Sequence, residues 1–214
     1  MFWRAYRKAA LMVTRGMREE DLCPDPFEQT RRWLAEAERA RLPLPNAAAL
    51  ATADSDGRPS ARMVLVKGID DGSWCFYTNY ESRKARDLEA NPWVSLLLHW
   101  HIFQRQIRLD GRAERMSAEA SAAYFRTRPR GSQIAAWASR QSEPAASRAD
   151  LERAVREVDE RFKGQEVPCP PFWGGYRVVG EEIEFWQGRA FRVHDRVVFR
   201  RAESGGWTPT RLQP

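Results

Sequence analysis

Cysteine is scarce. Three are scattered along 214 residues, Cys23, Cys75 and Cys169, with no CxxC pair. His99 and His101 have no cysteine or acidic partner at ligand spacing, which argues against a structural zinc site. So small and odd a cysteine count suits a reducing, cytoplasmic setting better than a disulfide framework. No apolar run approaches the ~20 residues of a membrane-spanning helix. The longest, around Val94–Leu98, reads as a buried strand. No serine–histidine–acid set, Walker-type loop, GxGxxG or HExxH occurs, so hydrolase, P-loop and dinucleotide-fold chemistry lack support. There is no block of five like charges either. The net charge of +6 is spread among acids, which weakens a nucleic-acid reading while leaving small anions plausible. Lysine is almost missing: of 35 basic residues only Lys8, Lys67, Lys84 and Lys163 are lysine.

What is present is enough for a core, at 43% hydrophobic and 11% aromatic. The length suits one domain with additions. We expect an N-terminal arm over residues 1–24 and a single domain over 25–214. The arm has no acid before Glu19 and an apolar stretch too short for a secretory signal. Asp25-Pro26 then opens a helix: Asp25 can cap, Pro26 suits the first turn, and Phe27, Thr30, Leu34 and Ala37 recur at helical steps. From residue 47 the period becomes two. AAALATAD, SARMVLVKGI and SWCFYTNY, separated by Asp56-Gly57 and Asp71-Gly72 turns, predict a three-strand meander. A short helix after Ser82, two more strands, three helices and a last group of strands follow. Many short strands with small helices between them indicate a closed or nearly closed antiparallel barrel with helical additions.

Several segments could carry chemistry. In FWQGRAFRVHDR, Arg192, His194 and Arg196 occupy alternate positions and would share one strand face. Two like charges ~7 Å apart cost about 2.4 kcal/mol at an effective dielectric of 20, so a half-buried face of this kind needs an anion, whereas a wet one does not. In YTNYESRKARDLE, Ser82 can cap while Arg83 and Lys84 stand in the first turn, against the helix dipole. An anion bound at that helix start would make sense of them; pairing with Glu81 or Asp87 is the plainer alternative. RMVLVK alternates apolar and basic positions, and a core strand with snorkelling ends explains it equally well. Tyr124 and Arg128 share a helix face, with Ser132 beyond a Pro-Gly bend. Gln106 within a strand, and Gln141 with Ser142, could hydrogen-bond a heterocycle edge.

Taken in order, RMVLVK, FYTNYESRKARDLEANPWVSLLLHW, RQIRLDGRAERMS, YFRTRPRGSQIAAWASRQS, PPFWGGYRV and EFWQGRAFRVHDR resemble the pyridoxine/pyridoxamine 5′-phosphate oxidase family. The likeness runs from about Asp25 to the C-terminal RLQP, and RPRGSQIAAWASRQS together with EFWQG…RVHDR is its most specific part. The resemblance implies a mainly β fold with helical additions (α+β), an antiparallel FMN-binding split β-barrel, and a homodimer with two active sites at the subunit interface. It implies oxidation of pyridoxamine or pyridoxine 5′-phosphate to pyridoxal 5′-phosphate, the flavin taking a hydride and O2 reoxidising it to give H2O2. Carried over, Arg62, Met63, Val64, Leu65 and Lys67 would run along the FMN ring and ribityl chain. Tyr77, Thr78, Ser82, Arg83 and Lys84 would hold the flavin phosphate region. Gln106, Gln141, Ser142, Trp186 and Arg196 would complete the flavin site, several of them from the partner subunit. Lys67, Tyr124, Arg128 and Ser132 would bind the substrate phosphate, and Arg192 and His194 would lie catalytically against the pyridine ring. No metal, nucleic-acid or membrane partner is implied. One departure concerns the arm: Met12 or Val13 stands where the family often has a tyrosine, and Tyr6 and Arg7 could serve in a shifted register. A related split-barrel flavoprotein reductase or oxidase with another substrate, or a non-enzymatic basic binding module, are the alternatives.

Overall fold

The computed structural model describes residues 16–70, 72–202 and 205–214. Tyr6, Arg7, Met12 and Val13 lie outside them. Helix α1, Pro26–Arg39, starts as its sequence predicts: the Asp25 carboxylate accepts the Phe27 and Glu28 amides, and Pro26 occupies the first turn. Its face of Phe27, Thr30, Trp33 and Ala37 is buried. Across the helix–sheet seam, Glu36 pairs with Arg105 at 2.8 Å, and the Arg105 guanidinium lies 4.2 Å from the Trp33 ring centre. Both partners are nearly buried, so the pair docks the helix only because each charge has the other. The packed body begins before this helix, since Met17 is itself a core residue.

Nine antiparallel strands make one curled sheet: β1 Ala47–Ala53, β2 Pro59–Leu65, β3 Gly68–Asp70, β4 Ser73–Asn79, β5 Trp93–Trp100, β6 Arg105–Arg115, β7 Trp173–Gln187, β8 Asp195–Arg201 and β9 Trp207–Arg211. The order is β2-β1-β5-β6-β7-β4-β3, with β8 and β9 branching from β7. The branch arises because β7 is long. β6 pairs with it from Arg115↔Tyr176 to Arg105↔Gln187. Its other edge is shared: Trp173–Val179 pairs with β4, and Glu182–Gln187 pairs with β8. A bulge at Asp110/Gly111 marks the change. There a Cβ on Gly111 would overlap the Val179 carbonyl oxygen, which is why the position takes glycine.

The expected meander is corrected. β1 and β2 do form a hairpin, but the SARMVLVKGI segment is two strands, and β3 joins β4 instead of continuing β2. The chain steps across at Val66-Lys67. The Val66 N–H donates to Asn46 O at 2.9 Å, and the next amide, that of Lys67, donates to Cys75 O at 2.8 Å. The two ends of the sheet are thereby brought together, which makes it a nearly closed barrel. Its interior holds Leu50, Trp74, Phe76, Leu96, Leu98, Ile107, Phe185 and Phe199. Helices α2 Arg83–Ala90, α3 Ala118–Thr127, α4 Arg130–Ala138 and α5 Arg148–Arg161 lie outside the barrel. A second core of Phe125, Ile134, Phe162, Val167 and Trp173 joins α3 to α5 with the start of β7. No helix among the described residues is long and apolar enough to cross a membrane.

Asp25→Ala removes both cap bonds and should cost about 1 kcal/mol. For a chain of this size that corresponds to a fall in Tm of roughly 2–4 °C, read by thermal unfolding; an unchanged Tm would show that the bonds contribute nothing.

Candidate functional site

A cleft of about 670 Å³ opens between β2, β4, the start of β7 and helices α3 and α4. Leu65, Lys67, Tyr77, Thr78, Tyr124, Arg128, Ser132 and Gln141 line it, together with Asn79, Thr127 and Trp173. Its wall is aromatic: Tyr77 stacks on Tyr124 at 3.9 Å and on Trp173 at 5.4 Å between ring centres. Arg128 leans over the Trp173 ring at 4.6 Å. Its Nη1 is buried with no hydrogen-bond partner among the described residues. Burial disfavours its charge, but a guanidinium keeps its proton in proteins, so the cleft holds a cation short of one acceptor.

Lys84 supplies a second cation. It projects from the first turn of α2 into a buried position, where its ammonium donates to Thr78 Oγ1 at 3.0 Å, Ser82 Oγ at 3.0 Å and Gln141 Oε1 at 2.8 Å. All three acceptors are neutral. Burial, then the nearby charge of Arg62, depress its pKa to about 8, against a smaller opposing pull from Asp87. Arg83 and Lys84 stand in the first turn of α2 as the sequence predicts, but the expected cap is corrected. Ser82 makes no capping bond; its hydroxyl donates to Asn79 O and accepts from Lys84. The Arg83 N–H is met instead by Ser142 Oγ at 3.1 Å. Three hydrogen bonds therefore tie the loop after α4 to the α2 start: Gln141 to Lys84, Ser142 to Arg83, and the Asn79 amide to Ser139 O.

Arg62 is not in the cleft. Period two puts Ser60, Arg62 and Val64 on the inner side of β2 and leaves Met63 and Leu65 outward, with Met63 exposed. Arg62 donates to Thr52 Oγ1 at 2.7 Å and Ser60 Oγ at 2.5 Å, and stands 3.6 Å from Asp87. Asp87 accepts from the same two hydroxyls. Among the described residues, Asp87 is in ion-pair contact with Arg62, while its pull on Lys84 is weaker.

The alternating face that Arg192, His194 and Arg196 were expected to share does not form. Strand β8 begins at Asp195, Arg192 closes a short 3₁₀ turn, and Phe191 and Arg192 have φ of 57° and 63°. Left-handed backbone breaks the period of two. Arg196 alone lies on the strand, where Glu184 grips it at 2.6 and 3.0 Å. Gln106, Trp186 and Arg196 are consecutive cross-strand neighbours, and His194 lies 4.8 Å from the Trp186 ring. This second group lines no part of the cleft within one chain. Sequence reasoning missed Trp173 and Asn79 in the cleft and Glu184 as a partner, and it offered Asp87 to Arg83 or Lys84 where the structure sets it against Arg62. The Gly174-Gly175 pair was a usable signal for Trp173, because side chains there would collide with Tyr80 and Met116.

A curled antiparallel sheet that forks at one long strand, with helices walling a cation-bearing cleft, defines a split-barrel protein. Residues 34–162 match the family model for pyridoxamine 5′-phosphate oxidase, and residues 173–214 match the pyridoxine 5′-phosphate oxidase C-terminal dimerisation region. The pyridoxine/pyridoxamine 5′-phosphate oxidase of Rubrobacter xylanophilus is 59% identical over 93% of this chain and 91% of its own. That of Cupriavidus taiwanensis is 52% identical over 94% and 95%. Among solved structures, PhzG of Burkholderia lata 383, in complex with tetrahydrophenazine-1-carboxylic acid, superposes with a TM-score of 0.85 at 35% identity, covering 91% of this chain and 95% of that one. A pyridoxamine 5′-phosphate oxidase-related, FMN-binding protein of Nostoc punctiforme shares the fold, with a TM-score of 0.72 at 16% identity over 88% and 98%. The chain belongs to the pyridoxine/pyridoxamine 5′-phosphate oxidase family, a family of oxidoreductases.

The depressed Lys84 pKa fixes the sign of a pH effect. Below pH about 8 the ammonium is charged and attracts an anion; above it the empty site has lost that proton. Affinity for inorganic phosphate, measured by calorimetry, should therefore fall as pH rises through about 8. Lys84→Met should bind weakly and lose this dependence; an identical pH profile in the variant would remove Lys84 from the anion site.

Proposed function

We propose that the protein oxidises pyridoxamine or pyridoxine 5′-phosphate to pyridoxal 5′-phosphate, with FMN as cofactor and O2 as acceptor giving H2O2, as a homodimer in the cytoplasm. The observation that carries this reading is a cation in the aromatic cleft with a second one buried behind its wall: Arg128, with an orphaned Nη1, lines the cleft, and Lys84, held only by neutral acceptors, bonds the lining residues Thr78 and Gln141. Two such cation positions suit two phosphate-bearing molecules. The names of the relatives and the family's flavin trait support the same conclusion.

The residues fit FMN, since a buried ammonium whose hydrogen bonds all go to neutral oxygens favours a nearby anion. Lys84, Arg83, Thr78, Ser82, Gln141 and Ser142 would hold its phosphate, and Met63, Val64 and Leu65 would run beside its ring and chain. FMN, when bound, supplies hydride acceptance. Everything else falls to the chain's own groups. Lys67, Tyr124, Arg128 and Ser132 would take the substrate phosphate, and the Tyr77–Trp173 wall would exclude water from one side. Arg192 and His194 stand away from the cleft of their own chain, so a second copy would present them, together with Gln106, Trp186 and Arg196, over it. The dimerisation region spans the segment that carries Trp186, Arg192, His194 and Arg196. Positioning is then the protein's main contribution.

A second reading follows from the likeness to PhzG: a partly reduced aromatic carboxylic acid could occupy the same cleft, its carboxylate on Arg128. Turnover assays with both substrate classes, detecting peroxide, separate the two readings. The purified protein should be yellow and should bleach when pyridoxamine 5′-phosphate is added without oxygen; no bleaching with FMN bound would reject the first reading. Arg128→Ala should weaken substrate binding by about 1.5–3 kcal/mol, roughly 10–100-fold in KM, with flavin absorbance retained. Loss of flavin without a KM change would place Arg128 at the wrong phosphate.

A further inference from the structure

Among the described residues, few contacts hold the segment that carries Arg192 and His194. Phe191 and Arg192 both sit in left-handed backbone, which is unfavourable for residues with side chains. Phe191 is 97% exposed and Val193 is also exposed. Within the segment the backbone bond from Val193 N–H to Ala190 O is long, at 3.3 Å. A second bond matters more: the Arg189 N–H donates to His194 Nδ1 at 3.1 Å. An amide can only donate, so Nδ1 is the acceptor. A neutral His194 ring must then carry its proton on Nε2.

One carboxylate secures the base of this segment. Asp195 Oδ2 accepts the Met17 N–H at 3.0 Å and lies 3.5 Å from Arg189 Nε, while Oδ1 accepts from Arg211 Nη1 at 2.8 Å. Arg211 continues outward, donating to Met17 O at 2.8 Å and to both Glu19 oxygens at 2.6 and 2.9 Å. This grip holds the Glu19 carboxyl at about 2, well below the usual range. Gly16, at φ +73°, sits so close that a Cβ would press on Arg189 and Asp195. The N-terminal segment, the C-terminal strand and the His194 segment therefore meet at a single side chain that is four-fifths buried, with 19% exposure.

We propose that Asp195 is a positioning residue, whose carboxylate holds Arg189 and, through the Arg189 amide, fixes the His194 ring with Nε2 outward. Its consequence for turnover rests on the function proposed above; the fixing of the ring does not. Asp195 touches neither ligand in this account. It acts by removing alternative ring orientations, in the way that outer partners orient working imidazoles elsewhere.

The test uses the full-length, FMN-loaded protein. Histidine-ring nitrogen NMR is feasible because the chain has three histidines, and His194→Gln assigns the relevant signal. In the unaltered protein the neutral His194 ring should be the Nε2–H tautomer alone. In Asp195→Asn the two tautomers should mix, and kcat should fall about tenfold with KM little changed and flavin absorbance retained. Arg189→Gln should reproduce both effects, and the double variant should be no worse than the poorer single one, as expected for residues acting as a unit. Should Asp195→Asn fail to load FMN, Arg189→Gln carries the test, because it leaves the Met17 and Arg211 bonds in place. An unchanged tautomer in both variants, or losses that add in the double variant, overturns the proposal. Mixed tautomers in variants of a protein that oxidises no vitamer phosphate uphold the positioning and reject only the substrate.

Discussion

One strand is asked to belong to two structures at once. β7 is paired with β6 from Tyr176 to its end, while its opposite edge passes from β4 to β8 part-way along. That hand-over places both groups of polar residues that the strands carry. The β4 half sets Tyr77 and Thr78 opposite Gly174 and Gly175, and so opens the cleft beside Trp173. The β8 half sets Arg196 beside Trp186 and launches the His194 segment at the other end. The cost falls at the bulge, where Gly111 admits the Val179 carbonyl. Backbone geometry, more than any side-chain contact, thus separates the two groups of polar residues within one chain.

The electrostatics follow the same division. Near the cleft, cations outnumber the carboxylates set against them: Arg62 has Asp87, whereas Lys84 has hydroxyls and an amide oxygen. Across β6, β7 and β8 the two signs are matched, with Arg108, Arg196 and Arg200 laced to Asp110, Glu182 and Glu184. The Lys84 ammonium is hydrogen-bonded throughout, but to neutral oxygens alone, and an ammonium, unlike a guanidinium, can lose its proton when buried.

Local signals in the sequence were reliable where the physics was local. The Asp25 cap, the hairpin of β1 and β2, the helix after Ser82 and the pairing of Tyr124 with Arg128 in one cleft all follow from spacing and turn chemistry. Readings failed where a distant contact decided. Nothing within RMVLVKGI announces that the strand must stop at Val66-Lys67, because that break is set by Asn46 and Cys75. Alternation around His194 suggested a strand, but two left-handed residues cancel it, and only the neighbouring glycine hinted at irregularity. Glu184 was invisible as a partner, and Asp87 was offered to Arg83 or Lys84 and not to Arg62, since each meets its arginine only through sheet register or helix packing.

The contact between Met17 and Arg211 joins residues near the two ends of the chain at 2.8 Å. The described polypeptide is thereby close to a ring in its topology. Chains whose ends adjoin tolerate being cut and rejoined elsewhere. The exposed turn at Gly164, far in sequence from both ends and free of crowding around its Cα, offers a place for new termini. A described body opened there, and joined from its last strand directly to Met17, would keep the forked strand whole and turn a noncovalent clasp into a peptide link.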